Sequence, residues 1–206
     1  MILDRLIIGA TRFLIGGRAA WVGCKPTPKQ RIYFANHSSN LDTVVIWAAL
    51  PPSLRARTRP AAAADYWDKT RSRRHLARDV LGAVLVDRGA GRDALREVED
   101  ALQAGDSIII FPEGTRGPGA IPAPFKSGLF HLAAAFPRAE LIPVYLHNLN
   151  RAMPKGVWLP VPVSASVLFG APVEPEPGED KAAFLTRARA AMLDLAGAVL
   201  PEAPDA

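Results

Sequence analysis

The chain has 206 residues, 49% of them hydrophobic and 22% charged, a composition that supports one sizeable globular core. Its single cysteine, Cys24, excludes an internal disulfide and the stapled secreted scaffolds that depend on one, so a reducing, cytosol-facing location is expected. A net charge of +5 with a pI near 9.7 turns attention from cationic partners to anionic ones: phospholipid surfaces, phosphorylated substrates, acidic carrier proteins or nucleic acid.

In chain order, MILDRLIIGATRFLIGGRAAWVG comes first. Arg5, Arg12 and Arg18 break every window of roughly 20 apolar residues that a spanning helix needs, and Arg12 also splits any signal-peptide core. On a helix, Ile2, Leu3, Leu6, Ile7, Phe13, Leu14, Trp21 and Val22 cover most of the surface, while Asp4, Arg5, Thr11, Arg12 and Arg18 form a narrow polar stripe. Residues 1–23 are therefore expected to be an amphipathic helix lying in a membrane surface, or packed on the protein itself, ahead of a single domain over residues 24–206.

Beyond it, short apolar runs alternate with helical stretches, which predicts an α/β fold with a central, mostly parallel sheet flanked by helices. Strands are expected at Arg31 to Ala35, Ala83 to Val86, Ser107 to Phe111, Leu141 to Leu146 and Val163 to Phe169. RDALREVEDALQAG predicts a helix stopped by Gly105, FKSGLFHLAAAF a second, and EDKAAFLTRARAAMLDLAGAVL a third whose Phe184, Leu185, Ala188, Met192, Leu195 and Val199 belong to the core. The proline-rich stretch Met153 to Val163 reads as an edge or a lid. Arg55, Arg57, Arg59, Lys69, Arg71, Arg73, Arg74 and Arg78 crowd one segment, as a solvated face or as a patch for a membrane or carrier protein. Only Tyr66 and Trp67 interleave with them, so nucleic acid is not an expected partner.

Ligands of open α/β sheets collect at the carboxyl ends of the strands. NHSSNLD, DRGAG, PEGTR and HNLN follow four expected strands in turn, so four polar clusters should meet on one edge. In NHSSNLD, His37 and Asp42 would point apart on one continuous helix, but a loop-to-helix junction lets them meet. With Ser39 as N-cap, Asp42 is the third helical residue, and the pair resembles a capping box. Asp42 then either only caps its helix or also fixes the His37 tautomer, leaving the other ring nitrogen as a base suited to neutral pH. In PEGTR, Glu113, Gly114, Thr115 and Arg116 follow a wholly apolar strand and suit an anion site, with Glu113 holding a hydroxyl or orienting Arg116. Arg88, ending what reads as the neighbouring strand in LVDR, either adds a second positive group or forms a surface salt bridge. GAGRDA (89–94) nearly matches a dinucleotide fingerprint with Glu113 as ribose acid, but Asp87 and Arg88 intervene between strand and glycine. FKSG lacks the glycine of a P-loop, and there is no GxSxG.

Taken in order, NHSSNLD, LVDR, FPEGTR and IPVYL resemble the sequence blocks of the glycerolipid acyltransferase family, which includes 1-acylglycerol-3-phosphate acyltransferase. The resemblance runs from about Asn36 to Leu146, and its first and third blocks are specific together. It implies transfer of a fatty acyl group from acyl-CoA or acyl carrier protein to the free hydroxyl of a lysophospholipid, most directly 1-acylglycerol-3-phosphate to give phosphatidic acid. His37 is then the general base and Asp42 its orienter. Arg88, Glu113, Gly114, Thr115, Arg116 and Lys126 form the acceptor or phosphate site. No metal and no cofactor beyond the thioester co-substrate are implied, and the enzyme is expected to sit peripherally on the cytoplasmic face of a membrane. Many members carry a lysine shortly after the equivalent of Ala61 to Ala64, where this chain reads AAAADYWDK, so the oxyanion donors stay unassigned.

Overall fold

The computed structural model describes residue 9 and residues 18–39, 41–117, 121–149 and 165–197. Seven strands form one sheet: β1 (Arg18–Trp21), β2 (Arg31–Ala35), β3 (Thr58–Ala63), β4 (Val84–Val86), β5 (Ser107–Ile110), β6 (Glu140–His147) and β7 (Ser166–Phe169), in the order β1-β7-β6-β2-β5-β3-β4. Strands β2 to β6 run the same way, β7 pairs antiparallel with β6, and β1 pairs parallel with β7. The expected mostly parallel α/β sheet is the architecture found.

The central strands explain themselves. RIYFA and SIII are buried at every position, as continuous apolar runs are when helices cover both faces of a parallel sheet. Alternation then splits their side chains. Ile32, Phe34, Ile108 and Ile110 face α5 (Arg96–Gln103), α6 (Gly128–Ala135) and α7 (Lys181–Gly197), meeting Val98, Leu102, Leu129, Leu132, Phe184, Ala188, Met192 and Leu195. Tyr33, Ala35 and Ile109 face the other way, against Val45, Ile46 and Trp47 of α1 (Asp42–Ala49) and Leu54 of α2 (Pro52–Arg55). Each of the larger apolar side chains among these contributes about 1.5–3 kcal/mol by burial.

Two findings differ from expectation. Strand β3 is not legible in TRPAAA, because proline and alanine are poor strand formers; its register with β5, Thr58 opposite Ser107 and Pro60 opposite Ile109, overrides propensity. β4 is thus separated from β5 by β3, and Arg88 does not end the strand beside PEGTR. In the segment expected to be an amphipathic helix, Arg18–Trp21 is strand β1 instead. The free edge of β7 takes up its backbone, and Trp21 stacks on Phe169 with ring centroids 4.0 Å apart. Gly9 is helical, whereas the rest of residues 1–17, Val199 and the proline-rich stretch 153–163 lie outside the described residues. Among those described, no helix is long and apolar enough to cross a membrane.

Candidate active site

The parallel run from β2 to β6 delivers the four polar clusters to one edge, with the loop after β2 lying between those after β6 and β5. Asn36 seals the first junction. Its amide donates to Leu146 O at 3.1 Å and accepts from Leu146 N at 2.7 Å, reproducing a ladder pair where β2 ends and β6 continues.

The chain then turns tightly around Asp42, which is completely buried. Asp42 Oδ2 accepts from Ser38 N at 2.6 Å, from Ser39 N at 2.9 Å and from His37 Nδ1 at 2.8 Å. Because a carboxylate can only accept, this geometry assigns the proton to Nδ1 and leaves Nε2 as the lone-pair nitrogen. The helix begins at Asp42 itself, with Leu41 at the N-cap position and no side-chain cap, so Asp42 is not the third residue after a Ser39 cap. The loop amides of Ser38 and Ser39 claim its carboxylate before the helix starts, and the Ser39 hydroxyl turns to Leu41 N at 3.3 Å.

The loop after β5 fixes His37 from the other side. Glu113, only 4% exposed, accepts from His37 N at 2.8 Å through Oε1 and from Ala123 N at 2.8 Å through Oε2. Gly117 N donates to His37 O at 3.0 Å, and the imidazole stacks on Phe111 with centroids 4.3 Å apart. The histidine is therefore held by its ring face, by Nδ1 and by both backbone groups. Among the described residues nothing hydrogen-bonds Nε2, and the side chain is 20% exposed.

Gly114 turns this loop at φ +73°, a conformation costly for other residues, and a Cβ there would stand 2.7 Å from Lys126 Nζ. Lys126, whose N–H donates to Pro112 O at 2.9 Å, thus lays its side chain across Gly114. Thr115 is exposed. The Arg116 guanidinium carbon lies 6.0 Å from the centroid of Tyr66, on α3 (Ala64–Trp67) at the end of β3. Arg88 is 3.9 Å from Asp65 on the same short helix. His37, Asp42, Glu113 and the Gly114–Arg116 turn share one wall, and Arg88 joins it only across β3. Glu113, with both oxygens taken by backbone amides, serves the loop and not a ribose. Among the described residues, no three His, Cys, Asp or Glu side chains are grouped to hold a metal ion.

A family model described as Acyltransferase matches residues 24–147, the stretch that builds this wall. The chain belongs to the acyltransferase family. It is 27% identical over 173 residues to the 1-acyl-sn-glycerol-3-phosphate acyltransferase of Limnanthes douglasii, covering 78% of this chain and 59% of the relative. With 1-acyl-sn-glycerol-3-phosphate acyltransferase alpha of Homo sapiens, identity is 30% over 151 residues, covering 70% of this chain and 50% of the relative. The chain thus spans between half and three fifths of the length of these curated relatives. The crystal structure of PlsC, the 1-acyl-sn-glycerophosphate acyltransferase from Thermotoga maritima, superposes with a TM-score of 0.75 at 22% identity, covering 97% of this chain and 79% of that one, a likeness of fold.

Within the family's domain, sequence reading overlooked Asn36 as a clamp, Phe111 as the platform under His37 and Tyr66 as a partner of Arg116. The first two lie inside NHSSNLD and FPEGTR, so a signal was present. What their residue types could not convey is that an amide pairs with a strand backbone or that a phenyl ring lies under an imidazole.

Proposed function

We propose that the protein is an acyltransferase that moves a fatty acyl group from acyl-CoA or acyl carrier protein to the free hydroxyl of a lysophospholipid, first of all 1-acylglycerol-3-phosphate. The observation that carries this reading is the 2.8 Å contact between His37 Nδ1 and Asp42 Oδ2 in a domain of this family, with Nε2 turned away from that bond. Nε2 takes the proton of the acceptor hydroxyl as its oxygen attacks the thioester carbonyl. The C–O bond forms, the tetrahedral intermediate collapses with cleavage of C–S, and the leaving thiolate receives the proton from His37. Asp42 stabilises the imidazolium throughout. No acyl-enzyme is needed, since a thioester is already activated and positioning with general-base help supplies the acceleration.

Arg116 and Lys126 are cations beside the Gly114 turn, where they suit the acceptor's phosphate; Arg88 lies further out. Both substrates carry acyl chains, which favours work at a membrane surface, and the lone Cys24 suits its reducing, cytoplasmic side. The test is conversion of lysophosphatidic acid and acyl-CoA, or acyl carrier protein, to phosphatidic acid by purified protein, with other lysolipids as parallel acceptors. Product from another lysolipid alone moves the acceptor assignment, and full activity in His37→Ala overturns the mechanism.

A further inference from the structure

The basic residues of segment 55–78 separate by what they touch. Arg55 donates to Trp47 O at 2.9 Å and Leu50 O at 2.7 Å, closing the end of α1, while Arg57 reaches Gly105 O at 3.3 Å. Arg59 pairs with Asp106 at 2.9 Å, Arg74 with Asp68 at 2.5 Å and Arg78 with Glu97 at 3.1 Å. These cations tie one element to another. Arg73 does not. Its guanidinium carbon lies 4.5 Å from the Tyr66 ring centroid, the residue is half-buried, and among the described residues no carboxylate pairs with it. Thr70 caps α4 (Arg71–His75) by accepting from Arg73 N at 3.3 Å, which anchors the backbone from which that side chain projects.

The same ring carries Arg116 at 6.0 Å. A tyrosine face attracts a cation, and Arg73, held there with no carboxylate among the described residues, keeps its charge for an anion. Asp65, next in sequence, draws in Arg88 at 3.9 Å, so two adjacent residues of α3 collect guanidiniums from the end of β4, from α4 and from the loop after β5. The cluster adjoins the dyad, because Gly117, the residue after Arg116, donates to His37 O at 3.0 Å.

We propose that Arg73, held against Tyr66 beside Arg116, is a specificity-determining residue that binds a substrate phosphomonoester, with Tyr66 as its positioning residue. The assignment rests on the acyltransferase reading only for the identity of the phosphate, which belongs either to the lysolipid acceptor or to the 3′-phosphate of CoA. Both are tested by calorimetric titration of the purified full chain, without turnover, using 1-hexanoylglycerol 3-phosphate, 1-hexanoylglycerol, CoA and dephospho-CoA. Arg73→Gln and Tyr66→Leu each weaken one phosphomonoester about ten-fold, the loss of one charge-assisted hydrogen bond, and leave its dephosphorylated counterpart unchanged. Tyr66→Phe keeps the ring and binds like wild type.

A loss confined to hexanoylglycerol phosphate assigns Arg73 to the acceptor, and one confined to CoA assigns it to the donor. Unchanged affinity for both in Arg73→Gln, or equal losses with and without the phosphate, overturns the proposal. A wild-type protein that binds these phosphates through Arg73 but forms no product overturns the acyltransferase reading while the anion assignment stands.

Discussion

The two edges of the sheet both bury charge, and they neutralise it by different means. At the amino edge, cation meets anion. Arg31, whose side chain is 2% exposed, donates through Nε to Glu140 Oε2 and through Nη2 to Thr27 Oγ1, each at 3.0 Å, and Lys29 reaches Glu140 Oε1 at 2.5 Å. At the carboxyl edge, the buried carboxylates of Asp42 and Glu113 accept from backbone amides and from one imidazole. Backbone dipoles stabilise an anion without cancelling its charge. The first arrangement closes a structure. The second leaves Asp42 its negative charge for an imidazolium.

The comparison breaks most visibly at His37. His37→Ala is expected to lower kcat by about 10²- to 10⁴-fold, the usual worth of a positioned general base. Asp42 keeps its two backbone amides, so losing the ring's hydrogen bond and its stacking on Phe111 costs about 1–2 kcal/mol in urea unfolding. Glu140→Ala at the other edge should do the reverse. It strands the buried Arg31 guanidinium without its carboxylate, costing about 3 kcal/mol, while kcat of the folded fraction stays at the wild-type value. Equal effects of the two substitutions on both stability and kcat would erase the distinction.

Legibility in the sequence follows the same division. Strands β2, β5 and β6 announced themselves as apolar runs, because burial on both faces leaves composition no freedom. The edge where their loops meet followed from the parallel arrangement. His37 and Asp42 were readable as a pair because a loop-to-helix junction is a local matter. β3 was not, since Thr58–Ala63 is a strand only through neighbours some 50 positions along the chain, such as Ser107 and Ile109. The work of Glu113 was equally hidden: its acceptance from His37 N spans 76 positions, and no local pattern encodes it. Strand β1 shows the converse. Trp21 fits an amphipathic stripe in isolation, and only backbone pairing with β7, where Phe169 lies opposite and stacks on it, makes it a strand residue.

Asn36 tests whether the carboxyl edge depends on amide pairing as argued. Asn36→Ala leaves Leu146 N and Leu146 O without their buried partner, at a cost of about 2 kcal/mol. The loss should reach activity as well, because His37 is the next residue. Asn36→Asp restores only the acceptor, so it should recover part of the stability and less of the activity; full recovery of both would show that the clamp needs no donor.

The smallest effect is one of pH, and it belongs to the amino edge. Burial pushes the Glu140 carboxyl up, but the hydrogen bonds and charges of Lys29 and Arg31 outweigh it and hold the group below the ordinary glutamate value. A carboxylate that is more acidic folded than unfolded releases its proton more readily in the native state, so the unfolded chain binds more protons as pH falls. The Glu140 contribution is therefore fully present above the ordinary glutamate range, about pH 4.3, and disappears as pH drops through the lowered native value. Glu140→Gln keeps the shape and removes the titration. The difference in unfolding free energy between wild type and Glu140→Gln should be constant from about pH 7 to pH 5 and shrink below about pH 4. A difference that instead persists undiminished into acid would mean that Arg31 is satisfied at this edge by Thr27 and shape alone, and that the amino edge too relies on neutral partners.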